Sequence, residues 1–206
     1  MAKLIFQYGV MKSGKSMEIA KTYTNYIVKG EKPLVLKPSI DTRDENIKSR
    51  LGIEIPCKTV SPDEDLTKLI FKDSHSQILP PVILIDEAQF LTPTQVTELT
   101  VIVDKGKIDV VCFGLKNDFR GLLFEGSKSL IEEADKLVEI KTLCFFCHKK
   151  ATHTLLTEIK DGKRYAADTT RENNVIIGDE DFFPTCRGHY HDYTSRTKEI
   201  KIENKK

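Results

Sequence analysis

Two short stretches of the sequence combine residues that could bind and activate a nucleoside triphosphate. The first, GVMKSGKS at residues 9–16, matches the pattern G-x-x-x-x-G-K-[S/T] at every fixed position. It follows a predicted strand and opens a predicted helix, which is the context that this motif requires. Backbone N–H groups of such a loop surround phosphate oxygens, and the helix N-terminus adds its positive dipole end. The residues predicted to bind ATP phosphates are Gly9, Val10, Met11, Lys12, Ser13, Gly14, Lys15 and Ser16.

The second stretch, IDEAQF at residues 85–90, places two adjacent carboxylates at the end of an apolar run. An aspartate at the end of a buried strand is the usual partner of a phosphate loop, so Asp86 and Ser16 are predicted to hold Mg²⁺ while Lys15 reaches the terminal phosphates. Glu87 lies where a general base for an attacking oxygen belongs. That base would serve an NTPase or helicase if the oxygen is water, and a kinase if it is a substrate alcohol.

A helicase or nucleic-acid-stimulated ATPase is the second hypothesis, since DEAQ is similar to the DExx boxes of helicases. That function needs a second motor domain and an extended basic groove for a strand. The chain has only 206 residues, and its 32 Lys and Arg against 31 Asp and Glu give a formal net charge of +1. We therefore expect no nucleic-acid partner. A regulatory module that binds nucleotide without catalysis is disfavoured because it would not need Glu87.

A metal site is predicted from two pairs of residues, each with two residues between the ligands. Tetrahedral Zn²⁺ takes four N or S ligands, and a site filled by protein leaves no position for a catalytic water, so we expect structural zinc. His191 or His148 could replace His189 as the fourth ligand. The predicted ligands are Cys144, Cys147, Cys186 and His189.

Cysteine number and hydrophobic content indicate in which cellular compartment the protein is expected. The five cysteines are an odd number in a chain where we find no secretion signal, so reduced thiols in the cytoplasm are the simpler interpretation. The sequence is 39% hydrophobic and 31% charged, and no run of about 20 apolar residues could span a bilayer. We expect a cytoplasmic protein with no membrane partner.

The elements that must position these residues are predicted from apolar patterning. Apolar runs without alternation, typical of strands covered on both faces, lie at residues 4–6, 34–36, 82–85 and 110–113. Amphipathic stretches predict helices at residues 16–29, 63–72, 92–105 and 126–134. Asp63 and Thr92 are candidate N-caps, and Gly30 and Gly106 are candidate C-terminal stops. The alternation predicts an α/β fold with a parallel sheet flanked by helices. Together with the phosphate loop, this gives the P-loop NTPase (RecA-like) type as the expected fold class.

The character of the sequence changes near residue 142, where cysteines, a KDGK turn at 160–163 and short polar-interrupted strands begin. We predict a nucleotide-binding domain at residues 1–141 and a small C-terminal zinc-binding domain at 142–193. The polar residues 194–206 are predicted to be a disordered tail.

The motifs in their order resemble the type II thymidine kinases. The resemblance rests on GVMKSGKS, DTR at 41–43, IDEAQF, FGLKNDFRGLLF at 113–124, and the zinc pairs CFFC and CRGH. It covers about residues 3–191. It implies that Glu87 takes the proton from the 5′-hydroxyl of thymidine as that oxygen attacks the γ-phosphate of ATP, and that Arg43 assists near the phosphates alongside Asp41.

The resemblance also implies a nucleoside site. Its aromatic and apolar positions correspond to Met11, Phe90, Leu115, Phe119 and Phe124. The segment from about residue 165 to 183 corresponds to a lasso loop that closes over thymine through backbone groups. Val175 and Ile177 are candidates for an apolar wall or its support, and Gly178 and Phe182 for further contacts. Either Phe182 or Phe183 could pack on the base.

This loop departs from the family pattern at two positions. Asp179 replaces the second residue of the usual Gly-Gly, and Phe182 replaces the usual tyrosine, so one hydroxyl contact is absent. The resemblance further implies thymidine and ATP as substrates, feedback inhibition by dTTP in the acceptor site, and a homotetramer.

Overall fold

The structure is a computed structural model that describes residues 1–40, 46–48, 52–71, 79–170, 181–195 and 199–201. The chain divides into two compact units, neither of which is continuous in sequence. The first unit contains Met1–Tyr8, Gly14–Lys116 and Leu123–Ile140. The second unit contains Gly9–Ser13, Asn117–Leu122 and the chain from Lys141 onward. The domain boundaries given above stay a prediction.

The first unit is built on a six-stranded parallel sheet, which confirms the predicted α/β fold. Its strands follow the order β5-β2-β6-β7-β1-β8, and β3 pairs with β4 in a separate two-stranded ribbon. The central β6 is buried at every residue, because its unbroken apolar side chains are covered on both faces of the sheet. The strands are β1 Leu4–Gly9, β2 Leu34–Pro38, β3 Ile47–Lys48, β4 Glu54–Ile55, β5 Lys58–Val60, β6 Val82–Ile85, β7 Asp109–Leu115 and β8 Lys136–Glu139.

The helices of the first unit lie close to their predicted positions. Thr92 is confirmed as an N-cap: its hydroxyl accepts from the Gln95 N–H at 3.2 Å, while the Gln95 side chain accepts from the Thr92 N–H at 3.2 Å. This reciprocal capping box satisfies two backbone donors at the helix start. Gly30 is confirmed as a stop, with a left-handed φ of 78°. The helices are α1 Lys15–Val28, α2 Leu66–Phe71, α3 Pro93–Gly106 and α4 Glu125–Glu133.

One predicted helix start is wrong, and one predicted helix stop has the expected position but a different backbone conformation. Asp63 does not cap α2, because the helix begins at Leu66 and the Asp65 carboxylate accepts from the Lys68 N–H at 2.9 Å. Gly106 is the last helical residue of α3, and Lys107 takes the left-handed conformation with φ 56°. Gly106 is small for another reason, since a Cβ there would lie 2.9 Å from the Phe71 ring.

The second unit contains an antiparallel sheet in the order β10-β9-β11 and one helix. Asp161 and Gly162 both have positive φ in the two-residue turn between β9 and β10, which is the turn predicted from KDGK. Ile200, inside the tail predicted to be disordered, is buried, and its N–H donates to the Arg164 carbonyl at 2.7 Å. The elements are β9 His153–Lys160, β10 Lys163–Ala166, β11 Phe182–Thr185 and α5 Arg187–Thr194. No helix among the described residues is long and apolar enough to cross a membrane.

Candidate active site

The phosphate loop connects the end of β1 to the start of α1. Gly14 has a left-handed φ of 93°, and its carbonyl accepts the N–H groups of Met17 and Glu18 in the first turn of the helix. A side chain at this φ would be strained, which accounts for the glycine. Lys15, the first helical residue, is buried. The positive end of the helix dipole therefore lies where the predicted phosphate ligand would bind.

Ser13 supplies a test of whether this loop fits a triphosphate. Its N–H donates to the Val10 carbonyl at 3.3 Å, so the loop closes into a tight turn. Its hydroxyl oxygen is buried and has no hydrogen-bond partner among the described residues. A buried hydroxyl without a partner costs stability unless a ligand satisfies it. The donor set of this loop fits phosphate oxygens.

Asp86 follows β6 directly, at the edge of the sheet where the parallel strands end. Its N–H donates to the Leu36 carbonyl at 3.0 Å, which extends the pairing with β2 by one residue. Its carboxylate is nearly buried and accepts from the Glu87 N–H at 2.9 Å. Ligands of open α/β sheets bind outside this carboxyl edge. A carboxylate oxygen here is a ligand of the kind that Mg²⁺ prefers.

Glu87 is held in an unusual backbone conformation. Its φ of 50° and ψ of 36° are left-handed, and it precedes a single 3₁₀ turn, Ala88–Phe90. The side-chain amide of Gln89 donates to Glu87 Oε2 at 2.5 Å, and Gln89 Oε1 accepts from the Leu115 N–H at 3.0 Å. Sequence reasoning missed Gln89. The available signal was a neutral amide inside a segment that is otherwise apolar after the two carboxylates.

Three predicted nucleoside-binding residues belong to the first unit. The Phe90 and Phe124 rings pack edge to face, with centroids 5.6 Å apart and an interplanar angle of 79°. Leu115 is the last residue of β7, and its carbonyl accepts from the Ser127 hydroxyl at 2.5 Å. Sequence and hydrogen bonding thus fix Leu115 between the end of a strand and the first turn of α4.

Three others belong to the second unit, where Met11, Phe119 and Phe182 share one apolar cluster with Leu156 and Ala167. The Met11 N–H donates to the hydroxyl of Thr154, a buried residue of β9, at 3.1 Å. Sequence reasoning did not single out Thr154, because a threonine in a strand is ordinary.

The Phe119 backbone is held by Tyr190, a residue of α5. The Tyr190 hydroxyl donates to the Phe119 carbonyl at 2.7 Å, and both residues are buried. Burial, together with the negative charge of Asp118, raises the pKa of Tyr190 to about 12. The ring of His153 stacks on Tyr190 with centroids 4.6 Å apart. Asp118 pairs with Arg120 at 2.7 Å, which keeps the turn around Phe119 closed.

The predicted metal ligands Cys144, Cys147, Cys186 and His189 are brought together, with all four ligand atoms within 4.8 Å of one another. His189 Nδ1 lies 3.4 Å from the sulfurs of Cys144 and Cys186, and the Cys147 and Cys186 sulfurs are 3.9 Å apart. A tetrahedral Zn²⁺ with bonds of about 2.3 Å to sulfur and 2.0 Å to nitrogen would place these atoms about 3.5 to 3.8 Å apart. The cluster therefore fits a closed zinc site.

Neither alternative histidine belongs to this cluster. The ring of His191 lies next to Tyr190 and His153, at centroid distances of 5.3 and 5.9 Å. His148 is not among the grouped ligand atoms of the described residues. The geometry favours His189 as the fourth ligand.

Several predicted residues lie outside the described part of the chain, and their roles stay predictions. These residues are Asp41, Arg43, Val175, Ile177, Gly178 and Asp179.

Comparison with known proteins decides the family. The family model described as thymidine kinase matches residues 2–190, which is nearly the whole chain. This chain belongs to the thymidine kinase family. The match contains both carboxylates, the phosphate loop and all four members of the Cys/His cluster.

Curated relatives of the thymidine kinase family agree with that assignment. A protein named thymidine kinase from Streptococcus agalactiae is 42% identical over 193 residues, covering 92% of this chain and 97% of its own. A thymidine kinase from Enterococcus faecalis is 45% identical over 193 residues, covering 92% and 95%. One from Streptococcus pyogenes is 42% identical with coverage of 92% and 97%. The similarity thus extends over nearly the full length of each relative.

Proposed function

We propose that this chain transfers the γ-phosphate of ATP to the 5′-hydroxyl of thymidine, giving ADP and dTMP for pyrimidine salvage and DNA synthesis. The observation that carries the proposal is the position of Glu87, directly after Asp86 at the carboxyl end of β6, in a member of the thymidine kinase family. In a nucleoside kinase, a general base at this position would deprotonate the substrate alcohol that attacks the phosphate. The helicase hypothesis has no support from the family match.

Each polar residue has a distinct role in the proposed transfer. Glu87 accepts the proton of the 5′-hydroxyl as that oxygen bonds to the γ-phosphorus and the bond between this phosphorus and the β–γ bridging oxygen breaks. Lys15 steadies the transferred phosphoryl group, and Ser16 and Asp86 would hold Mg²⁺. The bound ion would neutralise charge on the phosphate oxygens. Arg43 is proposed to assist near the phosphates.

Thymidine recognition is proposed to use the apolar residues identified above, together with backbone groups of the lasso loop. When the wrong nucleoside binds, buried backbone groups that should pair with the amide edge of thymine are left unpaired. This costs about 1 to 3 kcal/mol, which corresponds to roughly tenfold to hundredfold discrimination. Phe182 cannot supply the hydroxyl of the usual tyrosine, so one contact of the loop is absent. Comparing the affinities for deoxyuridine and thymidine tests whether this contact matters for recognition of the base. The proposed contacts are Met11, Phe90, Leu115, Phe119, Phe124, Val175, Ile177, Gly178 and Phe182.

Zinc is proposed as a structural ion held by Cys144, Cys147, Cys186 and His189. The four ligands occupy every position of a tetrahedral site, so the ion would stabilise the fold and take no part in phosphoryl transfer. We further propose a cytoplasmic homotetramer inhibited by dTTP bound in the acceptor site.

The test is transfer of radiolabelled γ-phosphate from Mg-ATP to a panel of nucleosides. We expect label in dTMP, with little in the deoxycytidine or purine reactions. Controls without nucleoside and with single-stranded DNA detect ATP hydrolysis. Free phosphate that rises with DNA, without labelled nucleotide, would refute the proposal and favour an ATP-driven motor.

Glu87→Gln tests the base. Turnover should fall by about 10² to 10⁴-fold, the usual contribution of general base catalysis, while ATP binding is retained. Glu132→Gln is the matched control, because Glu132 is an exposed glutamate of α4. Unchanged turnover in Glu87→Gln would remove Glu87 from the mechanism.

A further inference from the structure

We propose that Gln89 is a positioning residue that fixes the carboxylate of Glu87 against the end of β7. The inference rests on the proposed function, since it concerns the group that would act as the base. Gln89 would act on the reaction only through the oxygen atoms of Glu87.

The side-chain amide of Gln89 connects Glu87 to Leu115, and only one orientation of the amide allows both hydrogen bonds. Its Nε2 donates to Glu87 Oε2 at 2.5 Å and its Oε1 accepts from the Leu115 N–H at 3.0 Å. A flipped amide would face the carboxylate with an oxygen and the backbone N–H with an amine, so both contacts would repel. Because the two partners have opposite requirements, the hydrogen-bond network itself determines the orientation of this amide.

The bridge is rigid at its far end and shielded from water. Leu115 is the last residue of β7, a strand that is buried at every residue after the first and that pairs with a strand on each side. Gln89 is only 2% exposed, so solvent does not compete for its amide. A hydrogen bond in this environment orients its partner more strongly than one at the surface.

Glu87 needs such support because its own backbone conformation is unfavourable. A non-glycine residue at φ 50° is uncommon and persists where surrounding contacts impose it. The Gln89 amide is one such contact, and it acts on the carboxylate itself. The geometry thus couples a strained backbone to a fixed side-chain direction.

Gly114 is an independent sign of the same arrangement. Glycine inside a buried strand is unfavourable and calls for a local reason. Here a Cβ would lie 2.8 Å from Gln89 Oε1 and 3.0 Å from the backbone nitrogen of Gln89. Gly114 therefore leaves the space in which the Gln89 side chain reaches Leu115.

Two substitutions at position 89 separate positioning of Glu87 from support of Leu115. Gln89→Met removes both hydrogen bonds. Gln89→Glu keeps an oxygen that can accept from Leu115 but faces Glu87 with a second carboxyl oxygen. If Gln89 positions Glu87, both variants lower kcat by about ten- to hundredfold, the effect expected of a misplaced catalytic group. The KM values for thymidine and ATP should stay within about threefold of the original.

Gln95→Met is the matched control. Gln95 is equally buried, and its amide donates to the Ser61 and Glu64 carbonyls at 2.8 and 3.2 Å, in the capping region of α3. Its replacement should lower the melting temperature and leave kcat unchanged. A similar loss of kcat in Gln95→Met would mean that any buried amide in this unit has the same effect, which would overturn the proposal.

Gly114→Ala gives a second route if the Gln89 variants fail to fold. The added methyl group should displace the Gln89 amide and lower kcat, and adding Gly114→Ala to Gln89→Met should cost little further, because the two changes disrupt one contact. Full kcat in Gln89→Glu, or losses confined to KM, would overturn the proposal. Absence of thymidine phosphorylation in the unmodified protein is a separate outcome that rejects the proposed function and the inference with it.

Discussion

Tyr190→Phe removes one hydroxyl group and tests how α5 supports the residues predicted to contact thymidine. The hydroxyl donates to the Phe119 carbonyl at 2.7 Å. Phe119 is only 3% exposed and belongs to the apolar cluster that contains Met11 and Phe182. The phenyl ring that remains can keep its stacking on His153. The substitution therefore isolates the hydrogen bond from the packing.

The expected cost follows from the group left behind. Without the hydroxyl, a buried carbonyl oxygen loses its side-chain donor, which costs about 1 to 3 kcal/mol of unfolding free energy. If the Phe119 backbone shifts to find another donor, part of that cost appears as weaker thymidine binding. A loss of 1.4 kcal/mol corresponds to about a tenfold increase in Kd.

The pH dependence gives a second magnitude. Burial and the Asp118 charge raise the pKa of Tyr190 from about 10 to about 12 in the folded protein. The folded state therefore keeps a proton that the unfolded state releases above pH 10. This contribution is complete below pH 10 and disappears as the pH rises through 12. Between pH 10 and 11 it should decrease by about 1 kcal/mol.

The assay is urea denaturation of both proteins from pH 8 to 11, with KM for thymidine and ATP measured at pH 8. We expect the stability difference between the original protein and Tyr190→Phe to shrink above pH 10, and KM to rise for thymidine alone. A difference that is absent at pH 8, or constant to pH 11, would refute the assigned hydrogen bond and its energetic role.

Three further substitutions test other contacts. Thr92→Ala should lower the unfolding free energy by about 1 kcal/mol through loss of the capping box, whereas Thr97→Ala in an exposed position of the same helix should have little effect in denaturation experiments. Cys144→Ser should abolish stoichiometric zinc by metal analysis and lower the melting temperature, and an unchanged zinc content would exclude Cys144 as a ligand. Gly126→Ala should destabilise by about 1 to 3 kcal/mol, since its Cβ would lie 2.5 Å from the Leu91 carbonyl oxygen, and normal stability would show that the backbone relaxes there.

The sequence predicted the parts of the fold that are buried on both faces. The strand at Val82–Ile85 has bounds that match the prediction, because its apolar residues face helices on two sides. The edge strands Lys58–Val60 and Lys136–Glu139 were missed. Each pairs on one side only and carries exposed polar residues, so neither forms an apolar run.

The same distinction applies to the candidate site. The phosphate loop and the Cys/His ligands were predicted because their spacing along the chain carries their chemistry. Gln89 and Tyr190 were missed, because each is anchored to a partner that is distant in sequence. Gln89 reaches Leu115, 26 residues away, and Tyr190 reaches Phe119, 71 residues away.

The left-handed backbone of Glu87 implies that folding stability and catalytic turnover favour different residues at that position. Glycine tolerates φ 50° without the penalty of about 1 kcal/mol or more that other residues incur there. Selection for heat resistance alone would therefore tend to replace Glu87 with glycine, at the expense of the proposed base. Screens for robust variants of this protein should follow dTMP formation alongside melting temperature, because the two can move in opposite directions.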